Sequence, residues 1–242
     1  MPPDVLDFSR RAELVELMDE PCSREEMRAC LRDLARLNQW FLGYRPTLRW
    51  LERFQFSQNG RPAHIVDIGC GFGDGLRRIE EWAAQRRIAV ELTGCDLNPD
   101  AVAIAAEASP KRSRIEWVAA DVFSFKTTKP IDIVVSSLFT HHLTEEQIVR
   151  FLMWMENVAQ MGWFINDLSR ASIPYRLLKA FSKLAGLHPF VQHDGPVSIA
   201  RAFVAEDWRR ICMAAELHAR DITIETFKPA RLCVGRRKPG IK

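Results

Sequence analysis

The sequence predicts a doubly wound α/β fold, and three observations carry the prediction. From His64 onward short apolar runs alternate with stretches of helical periodicity. A glycine-dense turn, Gly69-Cys70-Gly71-Phe72-Gly73, follows the first run at once. The last two runs are separated only by Lys228-Pro229 and its neighbours. Alternating strands and helices need crossover connections, hence a mostly parallel sheet covered on both faces, while the closing pair suits an antiparallel hairpin at the sheet edge. Seven strands are expected, preceded by an N-terminal helical extension.

Taken in order, residues 1–60 read as that extension. Leu14, Leu17 and Met18, then Leu31, Leu34, Leu37 and Phe41, recur at the spacing of one helix face. Ser23 with Glu25 and Glu26 supplies a cap between two such helices. Gly43 and Pro46 punctuate, Thr47 starts a further short helix, and the polar stretch from Ser57 to Pro62 closes the extension. Strands follow at Ile65 to Ile68, Ala89 to Cys95, Ile115 to Val118, Ile131 to Val135 and Gly162 to Ile165, with helices at Leu76 to Ala84, Pro99 to Ala108 and Thr144 to Val158. Beyond Asp167 lies an insertion at 168–200, helical to Leu187 and then a loop from His188 to Pro196. A helix from Ala205 to Glu216 and two edge strands, Ala219 to Phe227 and Ala230 to Gly235, complete the domain 61–242.

The 242 residues carry 34 basic and 31 acidic side chains, and 47% are hydrophobic, so the chain can bury a core and is no disordered acid or base. No apolar run approaches the ~20 residues of a membrane span. The first seven residues lack the basic start and apolar stretch of a secretory signal, so a cytoplasmic protein is expected. Six cysteines show no paired spacing and no histidine at zinc spacing; they read as free thiols, and no metal is expected. Arg236-Arg237-Lys238 reads as a solvated tail, and no nucleic-acid partner is expected.

The glycine turn identifies a ligand loop, because glycines let backbone N–H groups approach a ligand closely. Neither the dinucleotide fingerprint nor the Walker pattern fits: Asp74 stands where the third glycine should be, and no Gly-Lys-Ser/Thr follows. Asp67, at the end of the first strand, can order the loop and attract an ammonium group. Asp96, closing the second strand, can accept from both hydroxyls of a ribose. Asp121, after the third, can accept from an exocyclic amine. A ring of carboxylates repels phosphate and suits an adenosine-bearing cation, which points to S-adenosylmethionine (SAM).

These residues, together with Ala120-Asp121-Val122 and the segment Asp132 to Leu143, resemble the ordered motifs of class I SAM-dependent methyltransferases. The resemblance implies a Rossmann-like sheet, SAM as cofactor and S-adenosylhomocysteine (SAH) as product. It implies that Gly69, Cys70, Gly71 and Gly73 line the donor, that Leu97 lies against the adenine, that the Val122 amide reads the adenine edge, and that Ser137 and Leu138 lie beneath the sulfonium. Gly75 departs from the pattern, which has a larger residue there. In detail, Glu16-Leu17-Met18-Asp19, Leu34 to Asn38, Asn166-Asp167-Leu168, His193 to Ser198 and Arg201-Ala202-Phe203 resemble a bacterial small-molecule subgroup associated with type III polyketide synthase pathways.

Methyl transfer is an in-line displacement, so the protein aligns the nucleophile, excludes water and, for a phenol, removes a proton. His141 and His142, beyond the fourth strand, are candidate bases, or loop residues packing on the cofactor. His193 beside Asp194 is another candidate, or a turn that fixes the insertion. Arg201 either holds an acidic acceptor or pairs with Asp194 or Asp167. Arg45 either reaches the SAM carboxylate or is a surface charge. The segment Tyr175 to Leu184, apolar with three cations, reads as a lid over a greasy acceptor or a peripheral membrane contact, or else as an amphipathic helix packed on the sheet. The reading is O-methylation of a small hydrophobic phenolic or polyketide-derived acceptor. Its rivals are C-methylation of a quinone precursor and a non-catalytic SAM-binding partner protein. Oligomeric state is not readable.

Overall fold

The computed structural model describes residues 6–56 and 61–239; the expectations drawn from the first five residues and from Ser57 to Gly60 lie outside them. Seven strands form one sheet: β1 Ala63–Ile68, β2 Val90–Asp96, β3 Glu116–Ala119, β4 Ile131–Ser137, β5 Ala159–Leu168, β6 Ile222–Phe227 and β7 Arg231–Arg237. Their order is β3-β2-β1-β4-β5-β7-β6, the first five parallel and β7 antiparallel to both its neighbours. The expected α/β sheet with an edge hairpin is therefore present. Because β1 lies between β2 and β4, the crossovers diverge there, and such a switch point opens a crevice at the strands' carboxyl ends.

The two faces follow from side-chain alternation. Val66, Val134, Trp163, Ile165, Leu232 and Val234 point to one side, where α5 (Glu145–Val158) and α8 (Ala205–Ala214) bury Phe151 and Trp208 against them. Ile65, Ile133, Val135, Phe164 and Cys233 point to the other, under α2 (Arg45–Leu51) and α3 (Asp74–Arg86), which contribute Trp50, Leu76 and Trp82. This period of two across four strands is what a sheet covered on both faces demands. Two glycines admit the Trp117 ring: a Cβ on Gly94 would lie 2.4 Å from it, and one on Gly73 2.2 Å. Gly94→Ala is expected to cost about 1–3 kcal/mol, read as a Tm lower by several degrees; an unchanged Tm would mean that the Trp117 ring yields freely.

The extension sits over the crevice. Helix α1 (Arg24–Trp40) starts with the expected Ser23 cap, its hydroxyl accepting from the Glu26 amide while Glu26 returns the bond. Met27 and Leu31 pack on Ala101 and Ile104 of α4 (Pro99–Glu107). Cys30 and Leu37 pack on Leu187 and on Val191 of α7 (Pro189–Arg201). The helix expected around Leu14 to Met18 is only a 3-10 turn, Leu17–Asp19. Its amides are used elsewhere: Leu17 and Met18 N–H donate to the Asp194 carboxylate at 2.8 and 3.0 Å. The loop expected from His188 to Pro196 is instead the start of α7, despite Gly195 and Pro196 inside it. His188 caps it, and the continuous buried run from Asp194 to Ala200 outweighs the breakers. Helix α6 (Ser172–Leu184) packs on α7 rather than on the sheet.

Nor is Arg236-Arg237-Lys238 a solvated tail. Arg236 and Lys238 pair with Glu156 at 3.1 and 3.2 Å, and Arg237 lies over the Phe54 ring. The six thiols are free and five are buried. No helix among the described residues is long and apolar enough to cross a membrane.

Candidate active site

The loop between β1 and α3 turns through three left-handed glycines, Gly69, Gly71 and Gly73, with φ of 70°, 50° and 72°. A Cβ on Gly69 would lie 2.6 Å from the Phe139 ring, so the loop is seated on the segment after β4. Asp96 clamps it from β2, accepting from the Gly71 amide at 2.9 Å and, through its other oxygen, from the Asn98 amide at 3.0 Å. Burial pushes the Asp96 carboxyl up, and these amides offset part of that rise. Asp121 is exposed and accepts from the Phe123 amide at 2.8 Å.

Asp67 is buried, and its Oδ1 has no hydrogen-bond partner among the described residues. Burial first, then the Asp74 and Asp96 charges, push its carboxyl well above the ordinary range. It lines a narrow cavity with Gly69, Cys70, Ser137, Leu138 and the buried Arg231. A ligand's ammonium group beside Asp67 would satisfy the orphaned oxygen and relieve the crowding of three acids.

Beyond β4 the chain makes a 3-10 turn, Thr140–His142, which aims His141 at the end of β5. His141 is buried; its Nδ1 donates to Asp167 Oδ1 at 2.7 Å, and its amide and the Thr140 hydroxyl donate to Oδ2 at 3.1 and 2.5 Å. Burial pushes the Asp167 carboxyl up, but the His141 imidazole and these donors outweigh it and hold the group below the usual carboxylate range. The bond fixes the tautomer and leaves Nε2 as the free nitrogen. Nε2 faces Glu16 Oε1 at 3.7 Å, while His142 Nε2 faces Oε2 at 3.8 Å and its Nδ1 faces Asp19 at 3.3 Å. Burial pushes the Glu16 carboxyl up, against the pull of His142 and Arg201. Glu16, His141 and His142 are donor types that hold metals, and their ligand atoms lie within 4.8 Å of one another. Ser198 and Arg201 also engage Glu16, at 3.0 and 3.5 Å.

With this geometry in view, residues 65–162 match the family described as "Methyltransferase domain". That stretch, less than half of the chain, is similar to a methyltransferase domain. Similar curated proteins include trans-aconitate 2-methyltransferase of Streptomyces avermitilis, 34% identical over 105 residues, 42% of this chain and 37% of that protein. The tRNA1(Val) (adenine(37)-N6)-methyltransferase of Glaesserella parasuis is 30% identical over 105 residues, 41% of this chain and 43% of that one. The chain thus spans well under half the length of either relative. Among solved structures, the plantazolicin methyltransferase BpumL in complex with SAH superposes with a TM-score of 0.62 at 14% identity, covering 89% of this chain and 96% of that one. These structural likenesses show the fold.

Within that stretch, β1, its following loop and β4 bring Asp67, Gly69, Cys70, Ser137 and Leu138 to one crevice, and Asp96 of β2 holds the same loop at Gly71; Leu97 is exposed and Val122 is buried next to the exposed Asp121. His141 and His142 stand next to it. His193 does not join them: it lies in α7 with Nδ1 2.8 Å from Asp194, lining a separate cavity of about 450 Å³ with Tyr175. Arg201 pairs with Asp19 at 2.9 Å and with Glu16, where the sequence offered Asp194 or Asp167. Arg45 is exposed at the start of α2 and does not line the crevice; the cation that does is Arg231, which donates to Asn38 at 2.6 Å. Sequence reasoning missed Arg231 because only the insertion of β7 beside β5 brings it to the crevice, and missed the role of Glu16 because no local motif links it to residues 125 places on.

Proposed function

We propose that the protein is a SAM-dependent methyltransferase that methylates the hydroxyl oxygen of a small, largely apolar acceptor of phenolic or polyketide-derived type. The observation that carries the reading is the buried His141–Asp167 pair, 2.7 Å apart, beside a crevice whose orphaned Asp67 oxygen asks for a cation. The bound donor supplies a methyl group already activated by a sulfonium. Asp67 would hold its ammonium group, Arg231 its carboxylate, Asp96 and Asp121 its nucleoside, and the three glycines keep side chains out of its path. His141 Nε2 takes the acceptor's hydroxyl proton as the oxygen attacks, and Asp167 stabilises the imidazolium that results. The aim of the whole arrangement is alignment plus one proton transfer. Incubating the protein with labelled SAM and a panel of phenols is expected to yield an O-methylated product by mass spectrometry; tight SAM binding without turnover across the panel would overturn the assignment.

Donor binding is expected to depend on pH through Asp67. In the donor-free protein its raised value means that the proton favours the fold, so that stability is complete below the ordinary carboxylate range and is lost as pH climbs through the raised value. A bound ammonium reverses the preference. Affinity for SAM therefore climbs with pH across the same window, and binding releases a proton. Calorimetry in two buffers of different ionisation enthalpy reads the release, which Asp67→Asn abolishes; equal heats for the parent protein would remove Asp67 from the donor site.

A further inference from the structure

Helix α6 has two apolar faces, and only one is covered. Leu178 and Phe181 turn inward, packing beside Leu187 and Val191. Ile173, Leu177, Ala180 and Leu184 recur at intervals of four, three and four residues, which places them in one stripe along the helix. That stripe faces outward, with Ile173 69%, Leu177 65% and Leu184 87% exposed. It continues onto the end of α1, where Trp40, 51% exposed, meets the Phe181 ring edge-on at 5.9 Å. At about 100° per residue, Arg176, Lys179 and Lys183 form a row along one border of the stripe. The helix carries no acid, and none of these three cations has a carboxylate partner among the described residues; Lys179 lies over the Tyr175 ring, 5.8 Å from its centre.

An apolar stripe bordered by unpaired cations has the chemistry of a helix that lies in a lipid interface, with its long basic side chains reaching the headgroups. A second copy of this chain is a poor occupant, because a two-fold contact of α6 on α6 sets three cations against three and offers no acid to meet them. We propose that α6 seats the protein on an anionic lipid surface, with the Ile173–Leu184 stripe in the acyl boundary and Arg176, Lys179 and Lys183 against phosphate headgroups. The same helix lines a cavity through Tyr175, Lys179 and Lys183.

The test is co-sedimentation of the full chain with phosphatidylcholine vesicles, with and without phosphatidylglycerol, at low salt. Binding is expected to be at least about tenfold stronger with the anionic lipid, and to fall about tenfold in Leu177→Ser/Leu184→Ser and in Lys179→Glu/Lys183→Glu. These side chains are exposed, so the variants should fold, and unaltered SAM binding by the serine variant verifies it. Equal binding to both lipids, no binding by the parent, or parent-like binding by the variants overturns the proposal. So does a dimer in light scattering that the serine variant breaks, since the stripe would then be a contact between copies. Loss of SAM binding in the parent would strike the proposed function and leave the vesicle result standing.

Discussion

Asp167→Asn is expected to lower methyl transfer to a neutral phenol by about 10²–10⁴-fold while leaving SAM affinity unchanged. The carboxylate accepts from His141 Nδ1, from the His141 amide and from the Thr140 hydroxyl. A carboxamide cannot accept through its nitrogen, so the imidazole loses both its tautomer and the charge that steadies it when protonated. The loss should shrink for an acceptor already ionised at the assay pH, such as a nitrophenol, because no proton then has to move. Turnover that falls equally for both acceptors would show that Asp167 serves only the fold. His142→Ala, on the more open member of the pair, should cost far less.

The second large effect is expected at the donor crevice. Asp96→Ala should weaken SAM binding by about 10²–10³-fold, since it would remove the charge-assisted bonds proposed for the ribose and also frees the Gly71 amide that the carboxylate now holds. Asp121→Ala, exposed and engaged only with its own turn, should weaken it by about tenfold. Isothermal calorimetry with SAH reads both without any acceptor. Folded variants that bind as tightly as the parent would remove the cation-binding account of this crevice.

The sheet and its crevice were readable from sequence because each strand carries its own signal: apolar alternation, glycines at one turn, an acid at each of three strand ends. What escaped was set by contacts distant in the chain. The segment around Leu17 has helical spacing, but its amides are captured by Asp194, 177 residues on. The Gly195-Pro196 pair signals a loop, but burial among α1 and α7 side chains keeps the helix continuous. Arg231 has no local signature, and Glu16 has one only as part of the Glu16-Leu17-Met18-Asp19 mark, which says nothing of its place beside His141; each gains its place from the sheet order or from a segment folding back. The position of His141 after β4 is legible in sequence, but nothing local marks Asp167, 26 residues on, as its partner rather than that of Arg201.

The way Arg11 is tied down bears on turnover. Its guanidinium donates to the carbonyls of Arg201, Leu143 and His141 at 2.7, 3.1 and 2.9 Å, stitching the start of the chain across the mouth that leads to the imidazole. Behind that stitch Glu16 lies 3.7 Å from His141 Nε2, and the imidazole is buried. In the proposed reaction an acceptor that reaches the imidazole has to displace this segment, so loosening of those three bonds would belong to the cycle, and Arg11→Ala is expected to change turnover more than donor affinity.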